Sequence, residues 1–563
     1  MAGTNPNPVK RILEVLRFQN KEIGAVYFYA ILNGLMQLSL PLGIQSIISF
    51  VQGGAISTSI VVLIILVVTG VFFTGLFQIN QMKLIEKIQQ QLFVRYSFLF
   101  AHSIPRLNLK SADRYYLPEL VNRFFDVVIL QKGLAKLLLD IPTATIQILF
   151  GLLVLSFYHP VFIFFGLVLI LIIYLILRFT SGRGLETSIE ESNYKYDTAG
   201  WLEELGRVVT SFKFSKGSNL HLGNTDSTVA GYLDARTSHF KILLIQYWSM
   251  VGFKVAITAA MLIVGSILLV NQQLNIGQFI AAEIIIITVI TSVEKLILNL
   301  NNVYDVLTSV EKLSKIPDMP EEGSGKLDFG AHTGGAAIMV KDLEFAYQEN
   351  QPVLQDISFE ILPGQKVQIM GGNGSGKSSL IRILSGAYQP FEGVVKLDNI
   401  SISNYSLDSI RGQTGILLST QELFKGSLLQ NITMGNENVT VHEIFQLAEV
   451  TGIKTFLDKS PKGLEMEINP TGERLPRKIV QKLLLLRALV NKPRLLLLEE
   501  PWLGLEPVYA QQIQDYLLHQ IPDCTCLIVS NDIGFAQQCD QVLLLEEGRI
   551  RAAGNWEKVQ PSL

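Results

Sequence analysis

Charge is what this sequence has least of. Asp, Glu, Lys and Arg make up 17% of its 563 residues, against about 25% in a soluble domain. With 49% hydrophobic residues and a mean hydropathy of +0.35, that argues against a wholly soluble enzyme and against a disordered or fibrous chain. An excess of either sign is also missing: the net charge is −3, so no basic surface points to nucleic acid or to anionic lipid. Cysteine is scarce. Cys524, Cys526 and Cys539 are the only three, too few for a disulfide framework and without a histidine cluster to make a zinc site. A reduced, cytosolic setting is expected for that end of the chain.

The missing charge is localised. From residue 23 to residue 82 there is no Asp, Glu, Lys or Arg, a run of 60 residues. That holds two spans of about 20 residues each with a turn between them, near Gln52, Gly53 and Gly54, before Ser57. A second charge-free stretch runs from Ile141 to Leu177, broken at Tyr158, His159 and Pro160. A third apolar region, Ile242 to Leu300, breaks at Asn271 to Asn275. Each reads as a hairpin of two spans, giving a six-helix, all-α transmembrane domain over residues 1–315. A buried core helix would be shorter.

Orientation follows from Lys and Arg. The three short turns carry neither, whereas the connections 83–133 and 178–241 carry Lys83, Lys87, Arg95, Arg106, Arg178, Arg183, Lys213 and Lys216 among others. The expectation is a multi-pass protein of the cell (inner) membrane with N- and C-termini cytoplasmic. The first twenty residues are too polar for a signal peptide. The long connections have helical composition and predict helices continuing beyond the bilayer as stalks.

A few charges lie inside the spans. Glu283 is about 10 Å in from the outer turn at 1.5 Å per residue. Lys254 and Glu294 share a depth near the inner face and are expected to pair; Glu283 is too far from them to join. An intramembrane carboxylate is either a functional group facing a cavity or a residue snorkelling to the interface, and both readings stand for Glu283. Residues 316–337, with two prolines and several glycines, read as a flexible linker.

Residues 338–563 read as an α/β nucleotide-binding domain. Gly371, Gly372, Asn373, Gly374, Ser375, Gly376, Lys377 and Ser378 follow a strand-like run from Lys366 to Met370 and precede the helical pattern from Ser379. Glycines in that place let backbone N–H groups curl around phosphates at a helix N-terminus. Lys377 reaches the β- and γ-phosphates, and Ser378 holds Mg²⁺. Four leucines, Leu495 to Leu498, make a buried parallel strand that delivers Glu499 and Glu500 at its end. One carboxylate suits the Mg²⁺ shell; the next suits polarising water.

These residues resemble the ATP-binding cassette (ABC) exporters, and the resemblance covers nearly the whole chain as a half-transporter: six exporter-type spans followed by one P-loop ABC ATPase domain. It implies ATP and Mg²⁺ as ligands and dimerisation with a second half-transporter. In the dimer each ATP lies between the phosphate loop of one cassette and the signature motif of the other. Matched by position, Tyr347 stacks on adenine and Ser379 completes the phosphate loop. Gln421 contacts Mg²⁺ and senses the membrane domain. Leu423 and Phe424 follow it about two residues early, so a shortened loop is expected. Glu119 to Asp126 resembles the first cytoplasmic coupling region, and Ser211 to Asn219 the second.

The departures from the family pattern are concentrated at hydrolysis. Where the signature reads Leu-Ser-Gly-Gly-Gln, this chain has Leu475, Pro476, Arg477, Lys478 and Ile479; the register is fixed by Gln481, Lys482 and Leu485 to Leu489. Pro476 has no N–H, and Arg477 and Lys478 put bulk where backbone should approach phosphate. Glu499 and Glu506 stand where Asp is usual, and Asn531 where a histidine is usual. Asn can donate a hydrogen bond but carries no charge.

The reading is therefore a half-transporter coupling ATP binding or hydrolysis to export of a hydrophobic or amphipathic substrate (peptide, lipid or drug-like), with a degenerate ATP site. Alone it would be a weak ATPase. The alternative is a nucleotide-gated, non-hydrolysing or slowly hydrolysing membrane component. Homodimer and heterodimer are both open, as is an adaptor protein of a secretion system. No nucleic-acid partner is expected.

Overall fold

The computed structural model describes residues 8–17, 19–52, 58–331, 334–348, 351–389, 391–460, 462–468 and 475–562. The chain divides into two compact units. Met1–Pro105 and Tyr115–Met319 form the first, and Arg106–Arg114 with Pro320–Leu563 form the second.

The first unit is helical. Its elements open with α1 (Pro8–Arg17), α2 (Asn20–Gln37), α3 (Ser39–Gln52) and α4 (Thr58–Ser103). After α5 (Leu109–Ala112), which falls in the second unit, come α6 (Leu117–Asn122), α7 (Asp126–Tyr158), α8 (Val161–Arg207) and α9 (Val209–Lys213). Helices α10 (Leu220–Val270), α11 (Ile276–Leu298) and α12 (Leu300–Leu313) complete it. Among the described residues six helical stretches are long and apolar enough to cross a membrane, and they are the six that the charge-free regions predict. The breaks at Tyr158–Pro160 and Asn271–Asn275 fall where expected; Gly53, Gly54 and Ser57 of the first turn lie outside the described residues.

Local chemistry sets the helix limits. Pro41 has no N–H and its ring crowds the carbonyl four residues back, so the first span restarts between α2 and α3. Asn275 accepts from Gln278 N at 2.7 Å while Gln278 Oε1 accepts from Asn275 N at 3.0 Å, a capping box that fixes the start of α11. Three helices run far past a bilayer thickness. α10 has 51 residues, about 75 Å at 1.5 Å per residue, which is the stalk geometry expected.

Small residues let the helices touch. A methyl on Gly151 would come within 2.7 Å of Val289 on α11, and one on Gly184 within 2.4 Å of the Tyr304 ring on α12. Polar side chains inside this packing find each other. Ser292 donates to Gln147 Oε1 at 2.6 Å, and Gln147 in turn donates to Gln37. Lys254 and Glu294 pair at 3.0 Å, as their depth predicts.

The stretches likened to coupling regions lie in the first unit, where Glu119 pairs with Arg123 at 3.0 Å and Asp126 with Lys195 at 3.1 Å. The piece that joins the second unit is Arg106–Arg114. Asn108 accepts from Ser111 N to start α5 and donates to Gln389 O at 3.0 Å, while Tyr388 donates to Asp113 at 2.6 Å. The linker differs from expectation. The unit boundary falls at Met319/Pro320, and most of the described residues beyond it are fastened down. Arg411 grips Glu322 bidentately at 2.8 Å, Gly325 N donates to Tyr405 O, and Arg494 donates to the carbonyls of Phe329 and Gly334 at 2.7 Å each.

Among its described residues the second unit has twelve strands: β1 (Ile338–Ala346), β2 (Pro352–Ile361), β3 (Lys366–Gly371), β4 (Glu392–Leu397), β5 (Ile400–Ser401), β6 (Thr414–Leu417), β7 (Gly426–Ser427), β8 (Glu467–Ile468), β9 (Leu495–Glu499), β10 (Thr525–Val529), β11 (Gln541–Glu546) and β12 (Arg549–Gly554). The main sheet runs β12-β11-β3-β10-β9-β6, parallel except at β12; a second antiparallel sheet runs β2-β1-β4-β5. All five residues of β9 are buried, as a strand covered on both faces must be. The three cysteines are buried and free.

Arg494 closes the far end of this sheet, 9% exposed, with Asp398 at 2.9 Å and the Phe329 ring beneath its guanidinium. Arg494→Met leaves a carboxylate and two carbonyls without their donor. The expected cost is about 3–5 kcal/mol, read as a marked fall in the thermal unfolding midpoint of the purified chain.

Candidate nucleotide-binding site

β3 ends at Gly371, whose φ is +144°, and Gly374 and Gly376 follow at +81° and +97°. Only glycine enters these conformations without strain. A methyl on Gly376 would strike Leu354 at 2.6 Å, whereas one on Gly372 or Gly374 would meet nothing within 4 Å. The loop is thus pinned at its base and open above, the form of a cradle. Helix α13 (Lys377–Leu384) starts directly from it, so its free N–H groups face the same space.

Lys377 lies folded over the loop, its Nζ donating to the carbonyls of Gly371 and Gly372 at 2.7 Å each. Burial lowers its pKa, and the nearby Glu500 and Glu499 partly offset this. Phosphate oxygens offer the ammonium stronger partners than those carbonyls. Asn531 fits the same strand end. Its side-chain amide accepts from Gly371 N at 3.1 Å and donates to Gly371 O at 3.3 Å, so it braces the loop through both backbone groups of one residue.

Glu499 ends β9 and Glu500 follows with φ +46°. Glu499 accepts from Ser378 Oγ on one carboxylate oxygen and from Ser419 N at 2.9 Å on the other. Hydroxyl and carboxylate oxygens are the donors a hard cation takes, so Ser378 and Glu499 fit Mg²⁺. Burial raises the pKa of Glu500, against the pull of Lys377. Its backbone is held from two sides, N–H to Val529 O at 2.8 Å and carbonyl to Gln481 Nε2 at 3.1 Å.

Gln421 does not join this group. Its Oε1 accepts from Leu418 N at 3.3 Å, and Ser419 takes the place beside Glu499. β6 ends at Leu417, so Ser419 is the second residue after the strand, with no shortening of the loop needed. The strand register, rather than the search for a glutamine, points to it. Tyr347 donates to or accepts from Ser379 Oγ at 2.9 Å and meets Phe345 and Tyr388 edge-on, with centroids 4.9 and 5.3 Å away. Asn373, Ser375, Gly376, Ser378 and Ser379 all sit in the loop or the first turn of α13, as the sequence predicts.

Residues 469–474 lie outside the described residues, and from Leu475 the signature segment is clear. Pro476 caps the helix Arg477–Leu489. Lys478 and Lys482 approach Glu506 at 3.5 and 3.0 Å. A backbone N–H first, and then these lysines, bring the Glu506 pKa down to about 2. Ser419 is a participant that the sequence pattern does not mark, while Gln481 and Lys482, there only markers of register, bond to Glu500 O and Glu506.

Two family models match. The ABC transporter model covers residues 354–503 and the ABC transporter transmembrane region covers residues 23–205. The mitochondrial iron-sulfur clusters transporter of Oryzias latipes is 30% identical over 219 residues, 39% of this chain and 29% of that protein. The ATP-dependent lipid A-core flippase of Xylella fastidiosa (strain 9a5c) is 30% identical over 287 residues, 50% of this chain and 48% of that protein. The chain thus spans about a third to a half of these curated relatives. A solved bacterial Atm1-family ABC exporter with ATP bound superposes with a TM-score of 0.85 at 17% identity, covering 97% of this chain and 96% of that one. At that identity the likeness is one of fold.

Removing the ammonium tests the cradle. Lys377→Ala is expected to weaken binding of a fluorescent ATP analogue at least tenfold, roughly one charge-assisted hydrogen bond or more, with the unfolding midpoint unchanged.

Proposed function

This chain belongs to the ABC transporters, carrying their transmembrane region and their ATP-binding domain on one polypeptide, and from that premise we propose that it is half of an asymmetric exporter. Its phosphate loop takes ATP, and an intact signature from a second, different half-transporter completes that site. Its own Leu475–Ile479 segment closes the partner's site into one that binds without turning over. The carried cargo is hydrophobic or amphipathic, and the membrane is the cell's inner membrane with both termini in the cytoplasm.

One contrast carries this reading. The cradle around Lys377 is complete, whereas the segment that should face the other ATP begins with a proline and two cations. Pro476 offers no N–H, and Lys478 is drawn back toward Glu506 at 3.5 Å. Small residues that let backbone N–H groups reach a γ-phosphate are absent there.

In the proposed hydrolytic site the loop N–H groups and Lys377 hold the phosphates and oppose their charge. Glu500 accepts the proton of the attacking water; a carboxyl raised by burial is a better acceptor than one in solvent. Asn531 fixes Gly371 and so the mouth of the loop. Mg²⁺, held by Ser378 and Glu499, supplies neutralisation of phosphate charge when bound.

A second reading, a homodimer that binds ATP but hydrolyses it slowly, is favoured by Asn531. Without a histidine, no ionisable side chain of that strand end adds positive charge where it develops. Turnover separates the two. Purified alone, the chain is expected to hydrolyse ATP at a few per cent or less of an intact exporter's rate. Co-assembly with an intact half is expected to raise turnover at least tenfold, and Glu500→Gln on this chain to remove that gain. Vigorous hydrolysis by the isolated chain, lost in Glu500→Gln, would overturn the degenerate-signature proposal.

A further inference from the structure

Helix α11 carries a face that its neighbours leave open. Gly277, Ala281, Ala282, Ile285, Ile286, Val289, Ile290 and Val293 are buried against α3, α7 and α10. At spacings of four, four, three and four residues, Glu283, Ile287, Thr291, Glu294 and Leu298 form the opposite stripe, half-buried or exposed. A carboxylate on a membrane-spanning face is costly against hydrocarbon and by default marks a face turned to a cavity or a ligand.

Two other carboxylates of these helices are matched. Glu294 pairs with Lys254 at 3.0 Å, and Asp140 accepts from Asn299 at 3.0 Å. Glu283 has no ion pair or side-chain hydrogen bond among the described residues. It lies on the same open stripe as Glu294, eleven residues and therefore about 16 Å away, beyond the reach of Lys254. So the stripe presents one unneutralised negative charge, flanked by the aliphatic Ile287 and, deeper, by Leu298.

We propose that Glu283 is a cargo-binding residue and that the cargo is an amphipathic organic cation, its positive centre at Glu283 and its apolar body along the α11 stripe. Charge complementarity names the sign, since the other carboxylate on the stripe is already neutralised. The apolar surroundings name the body: in a low-dielectric wall a single ion pair discriminates strongly between cations and anions of one shape, and the aliphatic stripe favours a partner with little hydration. The inference rests on the exporter reading above and narrows its substrate class.

Two probes of the same shape and opposite charge test it: tetraphenylphosphonium and tetraphenylborate. The full chain in lipid nanodiscs is expected to bind the phosphonium saturably and the borate not at all above the lipid background. Glu283→Gln is expected to weaken phosphonium binding at least tenfold, while Glu283→Asp, which keeps the charge, stays within about threefold. A fluorescent ATP analogue, read on the same samples, reports folding of the cassette and is expected to bind all three alike. Phosphonium binding unchanged in Glu283→Gln overturns the proposal, as does equal loss in Gln and Asp, or equal binding of the borate. An effect of Glu283→Gln on dimer stability alone assigns the face to a second copy and overturns it too. ATP binding without phosphonium binding leaves the exporter reading standing and removes the cargo inference. Phosphonium binding without ATP binding removes the exporter reading and with it the cargo role, leaving Glu283 a cation-binding group only.

Discussion

A backbone amide moved out of water without a partner costs about 2–7 kcal/mol, depending on the reference state, and much of this chain has to be moved out of water. In a bilayer the only open segments that satisfy every such group internally are helices, and the first unit is built of almost nothing else. The same requirement shapes the second unit. β9 sits between β10 and β6, all five residues buried, so both of its hydrogen-bonding edges are used. A strand held that way cannot shift by a residue, and it is this strand that places Glu499 and Glu500.

Rigidity at the end of β9 has a chemical consequence. Glu499, a methylene longer than aspartate, reaches Ser378 on the phosphate loop and Ser419 N after β6 simultaneously. It ties three separate segments together with one carboxylate. Lys377 and Asn531 likewise bond to the loop backbone itself. Ligand binding at this site is therefore an exchange of partners. Bound phosphate would draw Lys377 from the loop carbonyls, being the stronger partner of an ammonium. The cradle is already in its working shape, so little ordering cost is charged against affinity.

How much of this was legible depended on whether a residue's role is local. The six spans could be read because charge is absent or sparse over lengths that nothing but a membrane span requires. The phosphate loop could be read because its glycines answer to the backbone within eight residues. Ser419 could not be found by looking for a glutamine, since what places it is the end of β6 and the reach of a carboxylate eighty residues later. The glycines and prolines of residues 316–337 suggested freedom, yet much of that stretch is fixed by Arg411 and Arg494 from distant parts of the sequence. Composition reports what a segment can do alone; it is silent on which side chains come from elsewhere to hold it.

The Arg106–Arg114 segment belongs to the second unit although helices of the first precede and follow it. The chain passes between units at Pro105/Arg106, at Arg114/Tyr115 and at Met319/Pro320. Leu107 and Glu321 form an antiparallel bridge, with Asn108 N bonded to Pro320 O and Glu322 N to Arg106 O, both at 2.9 Å. The first and third crossings therefore leave the second unit side by side, as one two-stranded strap. The second crossing departs just after Asp113, which Tyr388 holds at 2.6 Å. Tyr388 in turn lies edge-on against Tyr347.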